Sequence, residues 1–228
     1  MKSKEISGYS IYNEKQKQKI KINTLENLFP KLPNKKYDII YADPPWDYGG
    51  KMQYDRSSIK SKNKGFEKNI FISSAQFKYP TVKTKDLMTL DIKSIANDNC
   101  LLFMWTTGPH MNQAIQLGER WGFNYKTVAF VWDKMIHNPG QYTLSQIEYC
   151  LIFKKGKIPT PRGVRNARQF FQSKRGKHSE KPKYVIEQIT KMFPKQKKIE
   201  LFARDNYDNW DNWGIEAPKK WEIDNETN

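Results

Sequence analysis

The decapeptide YDIIYADPPW, residues 37–46, decides the fold of this chain of 228 residues. Its first six residues are rich in β-branched and aromatic side chains and stand between two lysines and an Asp-Pro-Pro sequence, which predicts a buried strand. Each proline fixes its own φ and holds the residue before it in an extended conformation. We therefore predict a central strand that ends in a loop of fixed shape.

Further apolar segments follow this strand in alternation with helical patterns. Strands are predicted at 100–106, 123–132, 147–154 and 198–203, and helices at 84–96, 109–121 and 181–193, the second one ended by Gly122. Such alternation is typical of an α/β fold, with a mostly parallel sheet and helices on both faces. The length fits one domain of this kind.

Polar segments come directly after three of the predicted strands. They are Asp-Pro-Pro-Trp at 43–46, Thr-Thr-Gly at 106–108 and Arg-Asp-Asn at 204–206. In sheets of this type, ligands bind beyond the carboxyl ends of the strands. The three segments are therefore expected to meet at one site.

The net charge of +16 and the sequence pI near 9.6 indicate a polyanionic partner, most simply nucleic acid. Two alternatives remain open, since excess lysine can serve solubility or reflect an AT-rich genome. No glycine-rich dinucleotide or nucleoside-triphosphate motif is present. The histidines His110, His137 and His178 are scattered, so no metal site is expected.

The two cysteines, Cys100 and Cys150, each lie within an apolar run and are expected to be buried and reduced, as in a cytoplasmic protein. No run of 18 or more apolar residues predicts a membrane helix. The first residues carry charges but lack the apolar core of a signal peptide.

The loop at 43–46 suits one particular reaction. The exocyclic nitrogen of adenine is a poor nucleophile because its lone pair is delocalised into the ring, and two acceptors aimed at its protons would free that pair. The carboxylate of Asp43 and the carbonyl of Pro44 can act as these acceptors, while Pro45 stiffens the loop and Trp46 offers a wall for stacking. The alternative is an ordinary turn at the end of a strand.

Tyr41-Ala42-Asp43-Pro44-Pro45-Trp46 resembles the signature of the seventy-kilodalton methyltransferase-A (MT-A) family of adenine-N6 methyltransferases. Four later segments resemble that family in the same order: LFMWTTG at 102–108, EYCLIFKKG at 148–156, HSEKP at 178–182, and IELFAR at 199–204 with Asn-Trp-Gly at 212–214. The resemblance covers roughly residues 37–216. It implies a permuted Rossmann-like methyltransferase domain there, preceded by a basic arm or edge element at 1–36 and followed by an acidic tail at 217–228.

The resemblance further implies a prokaryotic or phage-encoded enzyme that uses S-adenosyl-L-methionine to methylate the amino group of a flipped or unpaired adenine in DNA. The catalytic residues would be Asp43, Pro44, Pro45 and Trp46. The donor contacts would be Asp43, Lys155, Arg204, Asn206, Glu216 and Asn23. The chain departs from the family pattern at Ile215-Glu216, where many members have Asn before the acidic or amide residue, so Glu216 alone is the candidate there.

Two basic segments are predicted to hold the nucleic acid on either side of the catalytic loop: the long loop 47–80 and residues 154–183. The residues proposed for this role are Tyr79, Arg162, Arg165, Arg168, Lys174, Arg175, Lys177, His178, Lys51 and Arg56. Phe170 and Phe171 lie among them and could contact a base or belong to the core. His178 could instead only order the start of the following helix.

Other functions are also compatible with these features. The chain could be an RNA adenine methyltransferase, a non-catalytic partner subunit of such an enzyme, or a plain DNA-binding module. A homodimer, or a heterodimer with a related subunit, is a further possibility. An assay of methyl transfer on both nucleic acids distinguishes a DNA from an RNA methyltransferase. A measurement of donor binding tests the partner subunit and the DNA-binding module, the second of which predicts no donor affinity.

Overall fold

Strand β1 lies inside the sheet, as its apolar sequence predicts, and all but one of its six residues are buried. The computed structural model describes residues 29–47, 82–138, 142–176 and 180–215. In these ranges the strands are β1 (Tyr37–Ala42), β2 (Ala96–Thr106), β3 (Asn124–Asn138), β4 (Ser145–Lys155), β5 (Phe170–Gln172), β6 (Lys198–Leu201) and β7 (Asp211–Trp213).

The seven strands of the described part of the chain form one sheet in the order β5-β3-β4-β2-β1-β6-β7. Strand β1 is parallel to both β2 and β6, and the pairs β3–β5 and β6–β7 are also parallel. Only the pairs of β4 with β2 and with β3 are antiparallel, so β4 alone runs in the opposite direction. The prediction of a mostly parallel sheet is confirmed.

Helices cover both faces of this sheet. The described helices are α1 (Thr84–Leu87), α2 (Met111–Arg120) and α3 (Lys183–Met192), with short 3-10 turns at Ile92–Ile95 and Gly108–His110. Successive residues of a strand point to opposite faces. Ile40 and Ala42 accordingly join the apolar cluster that contains residues of α2, while Ile39 and Tyr41 join the cluster that contains residues of α3.

The predicted helix at 84–96 is wrong. A four-residue helix starts at Thr84, with Lys83 rather than Thr84 in the cap position, and a 3-10 turn follows only at Ile92. Between them, the hydroxyl of Thr89 donates a hydrogen bond to the carbonyl of Asp86 at 2.7 Å, and the backbone leaves the helical region at Asp91, with φ −83° and ψ 62°. The predicted helices at 109–121 and 181–193 are confirmed, and Gly122 follows α2 with a φ of +90°.

The strand boundaries also differ from the prediction. Strand β3 continues six residues past Trp132, and β4 starts at Ser145, so the two form a long antiparallel hairpin. Cys100 and Cys150 are free and fully buried, as expected. None of the described helices is long and apolar enough to cross a membrane.

Candidate active site

The carboxyl ends of β1, β2 and β6 meet at one edge of the sheet, which we call the carboxyl edge. Ala42 of β1 is in register with Met104 of β2 on one side and with Leu201 of β6 on the other. The segments that start at Asp43, Thr106 and Arg204 therefore lie side by side. The expectation that these three polar segments meet is confirmed for the strands that carry them.

Asp43 lies at the end of a chain of ion pairs. The ammonium of Lys181, two residues before α3, is 2.7 Å from Oδ2 of Asp43 and 3.5 Å from Oε2 of Glu148. Oε1 of Glu148 is in turn 3.3 Å from the ammonium of Lys134. The side chains of all four residues are largely buried, so carboxylates and ammonium groups alternate within a region shielded from solvent.

The charges in this chain stabilise one another. Burial alone would raise the pKa of Glu148, but the ammonium groups of Lys181 and Lys134 hold that pKa below its ordinary value of 4.5. Glu148 is therefore ionised at neutral pH. Because β4 runs antiparallel to β2, the start of β4 rather than its end brings Glu148 to the carboxyl edge.

Backbone hydrogen bonds fix the loop after β1. The carbonyl of Pro44 accepts a hydrogen bond from the backbone N–H of Trp46 at 2.8 Å, and the carbonyl of Pro45 accepts one from Val82 at 2.9 Å. The indole N–H of Trp46 donates to the carbonyl of Trp105 at 3.1 Å. The rigid turn that the two prolines predict is therefore present, and it is anchored to β2.

Trp46 does not present an open face for a base. Only 4% of the residue is exposed, and its ring stacks on that of His110 with 5.5 Å between centroids. Burial lowers the pKa of His110, and its Nε2 is 3.2 Å from the carbonyl of Asp47. The prediction that Trp46 forms a stacking wall for adenine does not fit this arrangement. The indole packs in the core, where it anchors the loop after β1 to its surroundings.

Glu200 is a further acidic residue beside Asp43, and the sequence reasoning missed it. It is in register with Tyr41 of β1 on one side and with Asn212 of β7 on the other. Burial, together with the negative charges of Asp43 and Asp205, raises its pKa to about 8. Among the described residues, no hydrogen-bond partner meets its buried Oε2.

Lys155 is not at this site, so the prediction of a donor contact at Lys155 is wrong. It is paired with Cys100 near the amino end of β2, six residues from Thr106 and therefore about 20 Å away along the strand. Its ammonium donates to the carbonyl of Ala96 at 3.1 Å. The reversed direction of β4 puts the end of that strand at the opposite edge, and single-strand patterns do not reveal strand direction.

Arg204 and Asn206 do follow β6 at the carboxyl edge, as predicted. Burial and the charges of Asp43 and Asp205 raise the pKa of Glu200, and the positive charge of Arg204 offsets part of that rise, which places the two side chains in the same electrostatic environment. The side-chain oxygen of Asn206 accepts a hydrogen bond from the amide of Asn212, so this loop is tied to β7. Their role as donor contacts stays a prediction.

The predicted nucleic-acid residues divide into two groups. Arg162 packs over the ring of Phe193 at 5.4 Å, and the backbone that directly follows Arg162 is hydrogen-bonded to the last turn of α3. The segment around Arg162 therefore lies away from the carboxyl edge. Arg165 is exposed directly after it. The prediction that Arg162 flanks the catalytic loop is wrong, because the chain crosses the amino edge of the sheet before it returns.

The second group lies at the carboxyl edge. The carbonyl of Arg168 accepts a hydrogen bond from Tyr184 in the first turn of α3, and Lys174 and Arg175 are exposed just beyond β5. Of the two phenylalanines, Phe171 packs against Tyr184 with 4.4 Å between centroids, whereas Phe170 is exposed. Phe171 is therefore part of the core, and Phe170 is available to a partner.

Several predicted residues lie outside the described ranges. They are Asn23, Lys51, Arg56, Tyr79, Lys177, His178 and Glu216, together with residues 1–28 of the basic arm, residues 48–80 of the long loop and the acidic tail. Their proposed roles stay predictions.

Sequence reasoning also missed Lys181 and Glu148 as members of the site. Both lie within segments that resemble the family, HSEKP at 178–182 and EYCLIFKKG at 148–156. Their signal was a charged residue placed at a strand or helix start beside apolar positions. Lys181 was taken only as part of a helix start and a basic segment, and Glu148 only as the first residue of a strand.

The chain is similar in sequence to several known proteins. The MT-A70 family model matches residues 37–216. Over 214 residues the chain is 67% identical to the type II methyltransferase M.MunI of Mycoplasma sp, an alignment that covers 94% of this chain and 92% of that protein.

More distant similarity extends to plant proteins. The chain is 23% identical over 176 residues to an N(6)-adenosine-methyltransferase MT-A70-like protein of Arabidopsis thaliana, and 25% identical over 178 residues to a putative one of Medicago truncatula. These alignments cover 74% of this chain but only 22% and 24% of the plant proteins, so the chain spans about a quarter of their length.

Proposed function

The chain belongs to the MT-A70 family, and we propose that this methyltransferase transfers the methyl group of S-adenosyl-L-methionine to the exocyclic amino group of adenine in DNA. The observation that carries the proposal is the position of Asp43 and Pro44. They form a fixed loop at the carboxyl edge, and Asp43 is held by Lys181. The 67% identity to a type II methyltransferase supports DNA as the substrate.

The acceptor amino group would bind between two oxygens. One is a carboxylate oxygen of Asp43, and the other is the carbonyl oxygen of Pro44, which retains a second lone pair beside the one that Trp46 N–H occupies. Both are acceptors, so each would accept a hydrogen bond from one N–H of the amino group and favour a pyramidal nitrogen with a free lone pair. The nitrogen bonds to the methyl carbon as the bond from sulfur to that carbon breaks, and the methylated nitrogen then loses one proton, which the carboxylate of Asp43 can accept. Because the loop is already fixed, no reorganisation is required when charge develops on the nitrogen.

The residues around Asp43 fit a donor that is positively charged and carries hydroxyl and amino groups. The buried oxygen of Glu200 that lacks a partner among the described residues would accept a hydrogen bond from such a group. Arg204 would pair with a carboxylate, and Asn206 offers an amide beside it. When bound, the donor supplies an electrophilic methyl group on a positive sulfonium.

Lys181 controls how much of Asp43 is available to these ligands. The ammonium of Lys181 is also 3.5 Å from Glu148. The lysine can therefore move towards Glu148 while Asp43 accepts a hydrogen bond from the amino group of adenine. Each lysine in the chain then still faces a carboxylate. This arrangement orients Asp43 through one carboxylate oxygen and leaves the other oxygen available to a ligand.

Adenine within a duplex is out of reach of a loop at a sheet edge, so the base must leave the stack. The net charge of +16 and the exposed Lys174 and Arg175 favour a nucleic acid at this edge. RNA is the second candidate, since the plant relatives are named as adenosine methyltransferases. The high identity and near-complete coverage of the type II relative favour DNA.

The test is methyl transfer from labelled donor to duplex DNA, single-stranded DNA and RNA of matched sequence, followed by digestion to nucleosides. We expect the label in N6-methyldeoxyadenosine. Label in cytosine products, or transfer to RNA alone, would contradict the proposal. Sequencing of methylated DNA from cells that express the chain then identifies the target sequence.

A further inference from the structure

Most of the large apolar side chains that the described part of the chain exposes are gathered on the β3–β4 hairpin and the strand beside it. They are Met135 (51% exposed), Ile136 (54%), Tyr142 (91%), Leu144 (60%) and, on β5, Phe170 (56%). We call residues 133–138 and 142–147 the hairpin arm. A cluster of exposed apolar residues of this kind marks a contact surface in a protein that is otherwise strongly polar.

The hairpin arm projects beyond the carboxyl edge. Strand β2 ends at Thr106, which is paired with Tyr149 of β4. Strands β3 and β4 continue past that level, with Asp133 opposite Ile147 and Asn138 opposite Ser145. The arm therefore rises past the end of β2 on the side of the sheet where Asp43 lies.

The base of the arm is connected to the acidic site through buried charges. Lys134 is 3% exposed, and its ammonium pairs with Glu148. Glu148 also contacts Lys181, and Lys181 in turn pairs with Asp43. Met135 and Ile136 follow Lys134 directly in the chain. Met135 and Ile136 therefore lie at the same edge of the sheet as Asp43.

The arm is held rigid at this point. The carboxylate of Asp133 accepts hydrogen bonds from the backbone N–H of Met135 at 2.8 Å, from Gln146 at 2.7 Å and from Gln172 at 2.9 Å. It thereby joins β3, β4 and β5. Met135 has a φ of +57°, a conformation that a side chain of this size rarely adopts without such support. The exposed methionine is thus held in a fixed and unusual backbone geometry.

We propose that the hairpin arm is a wedge that inserts Met135 and Ile136 into the gap that adenine leaves in the duplex when it moves to Asp43. This inference rests on the proposed function and deepens it. Proteins that open or kink duplexes insert apolar side chains such as methionine and isoleucine between bases. Exposed apolar side chains on a strand held in place by Asp133, at the edge of the sheet where Asp43 lies, have the chemistry and the location for that task.

Charge favours DNA over a second copy of the chain as the occupant of this surface. Lys174 and Arg175 are exposed where the chain leaves β5, and the carbonyl of Ser173 before them accepts a hydrogen bond from Trp132 of β3 at 2.8 Å. Cations therefore lie beside Met135 and Ile136, where they could contact phosphates. Two copies of a chain with a net charge of +16 would repel each other.

The test compares two duplexes that carry the methylated sequence. In one, the target adenine faces thymine; in the other, it faces an abasic site, so that it is already partly unstacked. The variant is Met135→Ser with Ile136→Ser. Its matched control is Ile158→Ser, which removes an exposed isoleucine three residues after the end of β4, at the opposite edge.

We expect the double variant to lose at least about tenfold in kcat/KM on the paired duplex, because unstacking is no longer compensated. On the abasic duplex it should approach the wild-type rate, and Ile158→Ser should match wild type on both. Fluorescence of 2-aminopurine at the target position should rise when wild type binds and not when the double variant binds. Donor affinity and the unfolding midpoint of the double variant should be unchanged.

An equal loss on both duplexes, or no loss on either, would overturn the wedge. So would a wild-type dimer that becomes a monomer in the double variant, since the arm would then bind another copy. Absence of adenine methylation by wild type on any nucleic acid would instead overturn the proposed function, and the wedge with it. The abasic duplex separates these cases, because a failed wedge leaves it a good substrate for wild type.

Discussion

The ammonium of Lys181 lies 2.7 Å from Oδ2 of Asp43, although the two residues are 138 positions apart in the chain. The contact joins the segment before α3 to the loop after β1, across the carboxyl edge of the sheet. It pairs the carboxylate that we assign to the acceptor site with a cation that is itself shared with Glu148. Five expectations follow from this arrangement and from the residues around it.

Replacement of Lys181 by Met should lower kcat for methyl transfer by at least about tenfold, because Asp43 loses the cation that orients it. The free energy of unfolding should fall by about 1–3 kcal/mol, since partly buried carboxylates are left without compensation. Steady-state kinetics and denaturant unfolding measure the two effects. Lys181→Arg is the matched control and should recover part of the activity; an inactive Arg variant with native stability would argue that shape, rather than charge, matters there.

Glu148→Gln should lower kcat with little change in donor affinity, because Lys181 would then have Asp43 as its remaining partner in the ion chain. The variant combined with Lys181→Met should be no worse than Lys181→Met alone, as expected for residues that act through one another. Additive losses in this double-mutant cycle would show that Glu148 acts independently.

Glu148 should also affect stability in acid. Its folded-state pKa lies below the ordinary value of 4.5, so it stabilises the fold above that pH, and this contribution is lost as the pH falls through the folded pKa. The measurement is the free energy of unfolding of wild type and of Glu148→Gln over this acidic range. The difference between the two free energies should shrink as the pH falls.

Glu200 should have the opposite pH dependence. Its folded pKa of about 8 lies above the ordinary value of 4.5, so it stabilises the fold fully below 4.5 and progressively less as the pH rises towards 8. The difference in unfolding free energy between wild type and Glu200→Gln should therefore change across this range. The stability of wild type should fall relative to that of the variant as the pH rises. A constant difference would mean that Glu200 is ionised in the folded protein like an ordinary surface residue.

Lys155 and Arg204 should differ in their effect on donor binding. Arg204→Met should weaken donor affinity by at least about fivefold, because an Arg–carboxylate contact is a charge-assisted hydrogen bond. Lys155→Met should leave affinity unchanged, since Lys155 lies at the opposite edge and caps the start of β2. Calorimetric titration with the donor decides the matter; a larger loss at Lys155 would mean that the strand direction is misassigned.

The fold could be predicted from the sequence to the extent that single segments carry their own signal. Tyr37–Ala42 forms the buried strand that its side chains indicate, and helices α2 and α3 start and end close to the expected residues. The helix at 84–96 failed because the backbone leaves the helical region at Asp91, with φ −83° and ψ 62°, although the apolar pattern continues. Hydrophobic periodicity does not register such a change of backbone conformation.

The site was less predictable, because its members come from distant segments. The position of Asp43 follows from β1 and the prolines, but the contacts of Asp43 with Lys181 and, through it, Glu148 depend on how strands and helices are ordered in the sheet. Lys155 was misplaced for the same reason, since the direction of β4 is a property of its neighbours. Trp46 was misjudged because an aromatic after a turn can face a ligand or the core, and here His110 and β2 enclose it.

The most direct measurement is methyl transfer by Asp43→Asn, which preserves the shape of the side chain while removing its charge. Asp98→Asn, at the opposite end of β2, is the matched control. With labelled donor and duplex DNA, we expect Asp43→Asn to form N6-methyladenine at less than about one hundredth of the wild-type rate, while its free energy of unfolding falls by no more than about 1–3 kcal/mol, as for Lys181→Met. Asp98→Asn should be fully active. Adenine methylation by Asp43→Asn at the wild-type rate would contradict the central role of Asp43.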